Sequence, residues 1–159
     1  MPSDMNVVYT AEATTEGGRA GRVRSSDGRL DAALAVPSEL QGDGGPGTNP
    51  EQLFAAGYAA CFHSALSTVA DGRGLDVSRS RLTARVSLGQ RGPRGFGLAV
   101  VLELRDDGLA AADAGALMAA AHELCPYSKA VRGNVPVDLV ANGHPIAVDG
   151  SVEHGDGCC

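Results

Sequence analysis

The sequence predicts an α+β protein with a mostly antiparallel sheet and two helices. Two segments, 53–70 and 110–124, are apolar or alanine-rich at helical spacing, which predicts helices. Residues 81–89 and 96–104 alternate between apolar and polar side chains, which predicts a pair of strands. The elements follow the order strands, helix, hairpin, helix, strand. Because strand and helix do not alternate throughout, this order favours α+β over a parallel α/β sheet.

The N-terminal part predicts short strands joined by turns. Residues 5–11 alternate loosely and are expected to form a strand. The glycine-rich stretch 17–21 is a permissive turn that leads into a polar strand at 22–26. Asp27-Gly28 is a hairpin signal, and the alternating residues 30–36 behind it predict the returning strand.

A long helix is predicted to follow the loop at 41–50. Asn49 is a good N-cap, Pro50 suits the first helical position, and Gln52 lies three residues after the cap. Residues 53–70 are apolar nearly all round, which is typical of a buried helix rather than an amphipathic one. We expect the helix to end near Gly72.

The second half completes the predicted fold. The segment 91–95 is the turn of the hairpin, and the helix over 110–124 should end at Cys125-Pro126, because a residue before proline avoids the helical region. A short helical turn and a last strand at 135–140 follow. The glycine-rich residues 142–159 are expected to form a flexible tail.

Composition and charge limit the classes of function. A chain of 159 residues with 43% hydrophobic residues can bury a core, so we expect one domain over residues 1–141. The net charge of −6 argues against nucleic acid or an anionic membrane as a partner. We see no secretory signal and no stretch approaching the ~18 apolar residues of a membrane span, so we expect a cytoplasmic protein.

The cysteines are the first candidates for chemistry. Four cysteines are too few for a disulfide scaffold, and there is no CxxC or HExxH pattern, so a structural zinc site is not expected. Cys61 lies in the middle of the apolar helix, and Cys125 lies at the end of the second helix. Each could be a buried core residue, as free cysteine often is, or a redox-active thiol. The residues alone leave both interpretations open.

A nucleophilic cysteine must be a thiolate, so it needs a nearby positive charge. Cys61 lies 11 residues after Pro50, or roughly 16 Å along a helix, where the helix dipole has little effect. Lys129 is the only lysine, and Arg19 is notable among the arginines because glycines flank it on both sides. A solvated turn arginine would explain Arg19 equally simply. Glu51 has a plain structural role as a first-turn acid facing the dipole.

The histidines near the cysteines have structural explanations as well. His63 is two residues from Cys61, roughly 200° around the helix, so it cannot act as the base for that thiol and is expected in the core or at an interface. His122 lies three residues before Cys125 on the same helix face. It could tune Cys125, although a capping or packing role is the simpler explanation.

Three long blocks resemble the organic hydroperoxide resistance branch of the OsmC/Ohr superfamily. They are YTAEATTEGGRAG at 9–21, GGPGTNPEQLFAAGYAACFHSAL at 44–66 and AAHELCPYSKAVRGNVPVDL at 120–139. With the strands between them, they cover about residues 1–141. The resemblance implies an OsmC-like α+β fold, with mostly antiparallel sheets, a long buried central helix and a second helix, in an intertwined homodimer with active sites at the interface.

The resemblance also implies a mechanism. The family's peroxidatic cysteine falls on Cys61 and its resolving cysteine on Cys125, which implies a peroxidase that passes through a Cys61–Cys125 disulfide. The activating arginine falls on Arg19 and its partner carboxylate on Glu51. The expected substrates are organic hydroperoxides, including those of fatty acids. The expected reductants are dihydrolipoyl groups on lipoylated proteins, with no resident cofactor or metal.

The chain departs from the family pattern in two places. Lys129 stands where similar sequences usually have asparagine. The tail 142–159 extends past the usual end, and its Cys158-Cys159 pair inherits no family role. With His154 and Asp156 that pair could bind a metal weakly, although a disordered end is the simpler expectation.

Apolar side chains near the cysteines are expected to receive the organic part of the substrate, namely Phe54, Phe62, Leu117 and Tyr127. Two other classes of function remain open. One is a Cys–His hydrolase with Cys61 as nucleophile and His122 as base. The other is a redox sensor or binding protein that forms the disulfide without fast turnover.

The spacing of Glu51 and Cys61 predicts a site built from two chains. Ten residues of helix rise about 15 Å, and an arginine side chain reaches about half of that, so one Arg19 cannot easily serve both residues of the same helix. Two such helices packed antiparallel across a two-fold axis would solve the problem. The alternative is a helix that breaks near Gly57.

Overall fold

The computed structural model describes residues 5–93 and 95–148. The chain divides into two compact units, Met1–Leu53 and Phe54–Cys159. The expected single domain over 1–141 stays a prediction. Among the described residues of the first unit, Leu34 is the only buried hydrophobic side chain, so this unit has almost no core of its own.

The first unit is a three-stranded antiparallel sheet in the order β1-β2-β3. Its strands are β1 (Ala13–Glu16), β2 (Arg22–Ser25) and β3 (Asp31–Ala33). The predicted hairpin turn is confirmed, since Gly28 has φ 71° and its N–H donates to the carbonyl of Ser25.

The strand predicted at 5–11 is wrong. The chain there is not part of a sheet, and the side chains of Val8 and Tyr9 are 91% and 77% exposed. Alternation alone predicted this strand, but no strand in the described part of the chain pairs with it.

Helix α1 runs over Pro50–Arg73, as predicted. The Asn49 side chain accepts a hydrogen bond from the Gln52 N–H at 2.9 Å, which confirms the N-cap. The helix is continuous through Gly57, so the alternative of a break there is wrong.

Only one face of α1 is buried within the chain. Tyr58, Phe62 and Leu66 have no exposed surface, whereas residues 56, 60, 64 and 68 form an exposed line of small side chains. The expectation of burial all round is therefore not met by this chain alone.

Among the described residues, α1 is long and apolar enough to cross a membrane by length and composition. The expectation that no stretch approaches this limit is therefore wrong. Core helices of soluble proteins pass the same test, so one such helix gives weak support for a membrane location.

The second unit has a four-stranded sheet in the order β4-β5-β6-β7. Its strands are β4 (Arg81–Gln90), β5 (Phe96–Arg105), β6 (Val137–Ala141) and β7 (His144–Ile146). The predicted β4–β5 hairpin is confirmed, with Leu82 opposite Leu104 and Leu88 opposite Leu98.

Helices α2 (Ala111–Leu124) and α3 (Pro126–Val131) connect β5 to β6. The two strands are parallel, so this connection is a crossover that our strand-and-helix order did not predict. The core of the second unit combines α1, α2 and the sheet in one apolar cluster, with Phe62, Leu66, Leu102, Leu117 and Met118 fully buried.

Strand β7 lies in the segment that we assigned to the flexible tail, so the sheet extends past residue 141. Asn142 at φ 49° and Gly143 at φ 83° turn the chain back onto β6. The Asn142 side chain fixes the turn, since it accepts from the Asp106 N–H and donates to the Asp106 carbonyl, both at 2.9 Å. The rest of the predicted tail, residues 149–159, lies outside the described residues.

Candidate active site

In the first unit, Arg19 and Glu51 form a two-pronged ion pair. Nη1 of Arg19 donates to Oε2 of Glu51 at 2.9 Å, and Nη2 donates to Oε1 at 2.6 Å. This is the geometry in which a guanidinium fits a carboxylate best. The structure therefore brings together the two residues that the family resemblance paired.

Glycines shape the short turn that presents Arg19. Gly17 and Gly18 have φ values of 75° and 55°, which side chains rarely adopt. A Cβ on Gly21 would lie 1.6 Å from the carbonyl oxygen of Glu16, so only glycine fits there. The glycines that flank Arg19 are thus required by its backbone.

The ion pair holds both partners in their charged forms. The hydrogen bonds from Arg19 lower the pKa of Glu51 against the opposing effect of burial. The same contact raises the pKa of Arg19. The Arg19 side chain is 41% exposed and that of Glu51 16%, so the arginine stays accessible while its carboxylate partner is largely covered.

In the second unit, Cys61 and Cys125 are neighbouring free thiols. The Cys125 thiol donates to the Cys61 sulfur at an Sγ–Sγ distance of 3.6 Å. Cys61 is partly exposed, whereas Cys125 has no exposed surface. The two sulfurs are close enough to form a disulfide after a movement of about 1.5 Å, because an S–S bond is about 2.05 Å long.

The proline after Cys125 sets its position, as predicted. Cys125 has φ −62° and ψ 124°, an extended conformation between α2 and α3, and its N–H donates to the Ala121 carbonyl at 2.8 Å. The buried thiol thereby reaches the side of α1.

The surroundings of Cys61 in the described structure disfavour its thiolate. Burial raises the pKa of the Cys61 thiol, the backbone N–H of Tyr127 opposes this by hydrogen bonding to the sulfur, and Cys125 raises the pKa further. No cation is among the described groups that set this pKa. A positive charge from elsewhere is therefore needed if Cys61 is to react as a thiolate.

Aromatic rings line α1 beside the thiols. Phe54 stacks on Tyr127 with ring centroids 6.2 Å apart, and Tyr58 lies 5.7 Å from Tyr127. Gly57 makes this approach possible, because a Cβ there would lie 3.1 Å from the Tyr127 hydroxyl. Tyr127 keeps 39% of its surface exposed and Phe54 is half-buried, so both rings present surface to solvent.

The other two predicted pocket residues need a correction. Phe62 and Leu117 have no exposed surface and belong to the apolar core. Phe62 follows Cys61 in sequence, but one residue turns the helix by about 100°, so it points to another face. In this structure neither side chain presents a surface to a substrate.

His63 and His122, the two histidines near the cysteines, each bond to a serine. Nδ1 of His122 lies 3.0 Å from Oγ of Ser128, rather than at a cysteine, and burial lowers the His122 pKa. Nε2 of His63 lies 2.8 Å from Oγ of Ser80, which accords with the expected core role.

Sequence reasoning missed the buried network around Ser128. Its hydroxyl also lies 2.9 Å from the Tyr58 hydroxyl, and both side chains have no exposed surface. The available signal was a tyrosine inside an otherwise apolar helix, since a buried tyrosine usually finds a hydrogen-bond partner.

A pocket of about 590 Å³ opens beside this network in the second unit. His122, Ser128 and Arg132 line it together with apolar residues that include Val135 and Val137. Among the described residues there is no group of three His, Cys, Asp or Glu side chains that could hold a metal ion. Cys158, Cys159, His154 and Asp156 lie outside the described residues.

The chain matches a known protein family. A family model described as OsmC-like protein matches residues 42–140, well over half of the chain. The chain belongs to the OsmC-like family. The match contains Glu51, Cys61 and Cys125, while Arg19 lies before its first residue.

The relatives of this OsmC-like protein place it in the organic hydroperoxide resistance branch. The organic hydroperoxide resistance protein of Xanthomonas axonopodis pv. citri is 50% identical over 140 residues, which cover 87% of this chain and 98% of the relative. OhrB of Bacillus subtilis is 47% identical over 133 residues, covering 83% and 96% of the two chains.

Solved structures agree with this assignment. A crystal structure of an organic hydroperoxide resistance protein from Legionella pneumophila matches with a TM-score of 0.81 and 48% identity, covering 86% of this chain and 98% of that one. The structure of Bacillus subtilis OhrB matches with a TM-score of 0.78 and 46% identity, covering 85% and 99%. The predicted OsmC-like α+β fold is confirmed.

Proposed function

We propose that this OsmC-like protein is a thiol-dependent peroxidase that reduces organic hydroperoxides, including those of fatty acids, to alcohols in the response to oxidative stress. The observation that carries the proposal is the pair of free thiols, one partly exposed and one buried, at 3.6 Å. Relatives at 50% and 47% identity bear the name organic hydroperoxide resistance protein, which supports this substrate class.

The first step is attack of the Cys61 thiolate on the distal oxygen of the hydroperoxide. The O–O bond breaks, the alkoxide takes a proton and leaves as the alcohol, and Cys61 becomes a sulfenic acid. Arg19 would supply the positive charge that favours the thiolate and the developing alkoxide. Glu51 would orient Arg19 through its two hydrogen bonds.

In the second step, the Cys125 thiol attacks the Cys61 sulfenic acid. An S–S bond forms, the S–OH bond breaks, and the thiol proton leaves with the hydroxyl group as water. An external dithiol then reduces the disulfide by two exchange reactions. Cys61 is the partly exposed sulfur and is therefore the one that the dithiol would attack.

The resemblance suggests dihydrolipoyl groups on lipoylated proteins as that dithiol. It also suggests a cytoplasmic homodimer. The continuous α1 supports a two-chain site. Glu51 and Cys61 lie ten residues apart on it, or about 15 Å along its axis, which is about twice the reach of one arginine side chain. Phe54 and Tyr127 would contact the organic group of the hydroperoxide.

The hydrolase alternative is less well supported, because Nδ1 of His122 bonds to Ser128 rather than to a thiol. A redox sensor that forms the same disulfide without fast turnover differs only in rate. Turnover measurements therefore separate it from a peroxidase.

The test replaces each central cysteine in a background where Cys158 and Cys159 are serine. Reduced protein is mixed with cumene hydroperoxide or hydrogen peroxide, and alcohol release and thiol state are followed by rapid quench and mass spectrometry. Cys61→Ser should abolish reduction. Cys125→Ser should release one alcohol per site, then turn over slowly and overoxidise at Cys61. Full dithiol-driven turnover by Cys61→Ser would refute the mechanism, and slow turnover of the parent would favour the sensor.

A further inference from the structure

Ser128 joins three helices through its side chain. Its hydroxyl lies 2.9 Å from the hydroxyl of Tyr58 on α1 and 3.0 Å from Nδ1 of His122 on α2, while Ser128 itself is on α3. Tyr58 and Ser128 are fully buried. A buried hydroxyl that uses two partners on two other elements constrains the relative positions of all three.

The two residues of the Tyr58–Ser128 bond flank the two thiols. Tyr58 lies three residues before Cys61 on α1, and Ser128 lies three residues after Cys125. In a helix, residues three apart share a face, so Tyr58 and Cys61 both turn toward α3. The bond therefore ties together the two segments that carry the sulfurs.

Two further contacts act along the same seam between α1 and α3. Gly57 leaves room for the Tyr127 side chain, and the Tyr127 ring stacks on the Phe54 ring with centroids 6.2 Å apart. Neither contact crosses to α2. Among these contacts, only the Ser128 hydroxyl also links α3 to α2, through its bond to His122. Cys125 lies between these two helices in the chain.

We propose that Ser128 is a positioning residue for disulfide formation: through Tyr58 and His122 it holds the resolving Cys125 at attack distance from Cys61. This inference rests on the proposed peroxidase function. The step it assists is balanced within the chain, since the Cys125 thiol and the Cys61 sulfenic acid form one S–S bond and release one water. Holding two reacting groups at a fixed distance raises their effective concentration, which speeds disulfide formation and stabilises the disulfide.

The test uses two variants with a matched control, all in the background without Cys158 and Cys159. Ser128→Ala removes both hydrogen bonds. Tyr58→Phe removes only the bond to α1 and keeps the ring, so it tests the proposal even if Ser128→Ala does not fold. The control is Ser80→Ala, which also removes a buried serine hydroxyl bonded to a histidine, His63, and His63 lies roughly 200° around α1 from Cys61.

Three quantities are measured on folded protein. The first is the rate of alcohol release in the first turnover, which should stay within about twofold of the parent because it precedes the Cys125 step. The second is the lifetime of the sulfenic acid, trapped with dimedone and counted by mass spectrometry. The third is the equilibrium of the Cys61–Cys125 disulfide with dithiothreitol.

Ser128→Ala and Tyr58→Phe should each lengthen the sulfenic acid lifetime by about tenfold and weaken the disulfide by about tenfold, a rise in potential of about 30 mV. Ser80→Ala should change neither. An unchanged lifetime and potential in Tyr58→Phe, or equal changes in Ser80→Ala, would overturn the proposal while leaving the peroxidase intact. A parent protein that forms no disulfide with peroxide would instead refute the proposed function.

Discussion

The guanidinium of Arg19 meets the carboxylate of Glu51 along two parallel hydrogen bonds, at 2.9 and 2.6 Å. Such a pair fixes the plane and direction of the guanidinium as well as its charge. If Arg19 activates a thiol, the carboxylate that aims it should matter nearly as much as the arginine.

Glu51→Gln should slow the oxidation of Cys61 by about tenfold, because a neutral amide cannot accept both hydrogen bonds from the guanidinium. The rate is measured by stopped flow on reduced protein with cumene hydroperoxide. Glu123→Gln is the matched control, since Glu123 also accepts two hydrogen bonds from an arginine, Arg132, at 2.9 and 3.1 Å. Equal effects of the two substitutions would contradict a specific role for Glu51.

The pH profile of Cys61 should depend on Arg19. Burial raises the pKa of this thiol, so without a cation its thiolate appears only above the ordinary thiol range near pH ~8.5. We expect Arg19→Gln to react with iodoacetamide only above that range, whereas the parent reacts at lower pH. Arg29→Gln is the control, because its 90% exposed side chain pairs only with Asp27 among the described residues. Identical pH profiles for Arg19→Gln and the parent would show that Arg19 does not affect the pKa of the Cys61 thiol.

Mixing two inactive variants tests the two-chain site. Cys61→Ser and Glu51→Ala proteins are each expected to be poorly active. If Glu51 of one subunit serves Cys61 of the other, a mixed dimer has one site with both defects and one intact site, and activity partly returns. Exchange is followed by native mass spectrometry. No recovery in demonstrated mixed dimers would mean that each subunit carries its own complete site.

The position of β7 changes how the C-terminal segment should be removed. Deleting residues 149–159 should leave peroxidase activity within about twofold and the unfolding midpoint nearly unchanged, because the deletion removes none of the described strands and helices. Deleting 143–159 should lower the unfolding midpoint, because it also removes β7 and its pairing with β6. Circular dichroism melts and turnover assays check both. A large loss of activity in the protein that lacks only residues 149–159 would show that these last eleven residues have a function.

Local signals in the sequence predicted the elements that local interactions determine. Asn49 and Pro50 marked the start of α1, and Asp27-Gly28 marked a hairpin, because caps and tight turns depend on a few adjacent residues. The parallel pairing of β5 with β6 could not be read this way. It joins Val100 to Val137 across the intervening helices, and only tertiary packing selects it.

The site was predictable to the extent that long blocks resemble a known family. Those blocks indicated Arg19, Glu51 and the two cysteines, and the structure pairs them two by two, although their catalytic roles stay predictions. The residues that would contact the substrate were harder to predict. Phe62 is next to Cys61 in sequence, but the helix directs its side chain into the apolar core. The partnership of Tyr58 with Ser128 was invisible, because it joins residues 70 positions apart.

The first unit buries one hydrophobic side chain, Leu34, among its described residues, and it leaves Val8 and Tyr9 open to solvent. Its other apolar side chains are half-buried or exposed, so this segment of about fifty residues gains little of the free energy that normally offsets chain entropy. Its order must then depend on a surface that covers it. If that surface belongs to a second copy, mass action applies, and dilution should melt this sheet before it melts the rest of the chain.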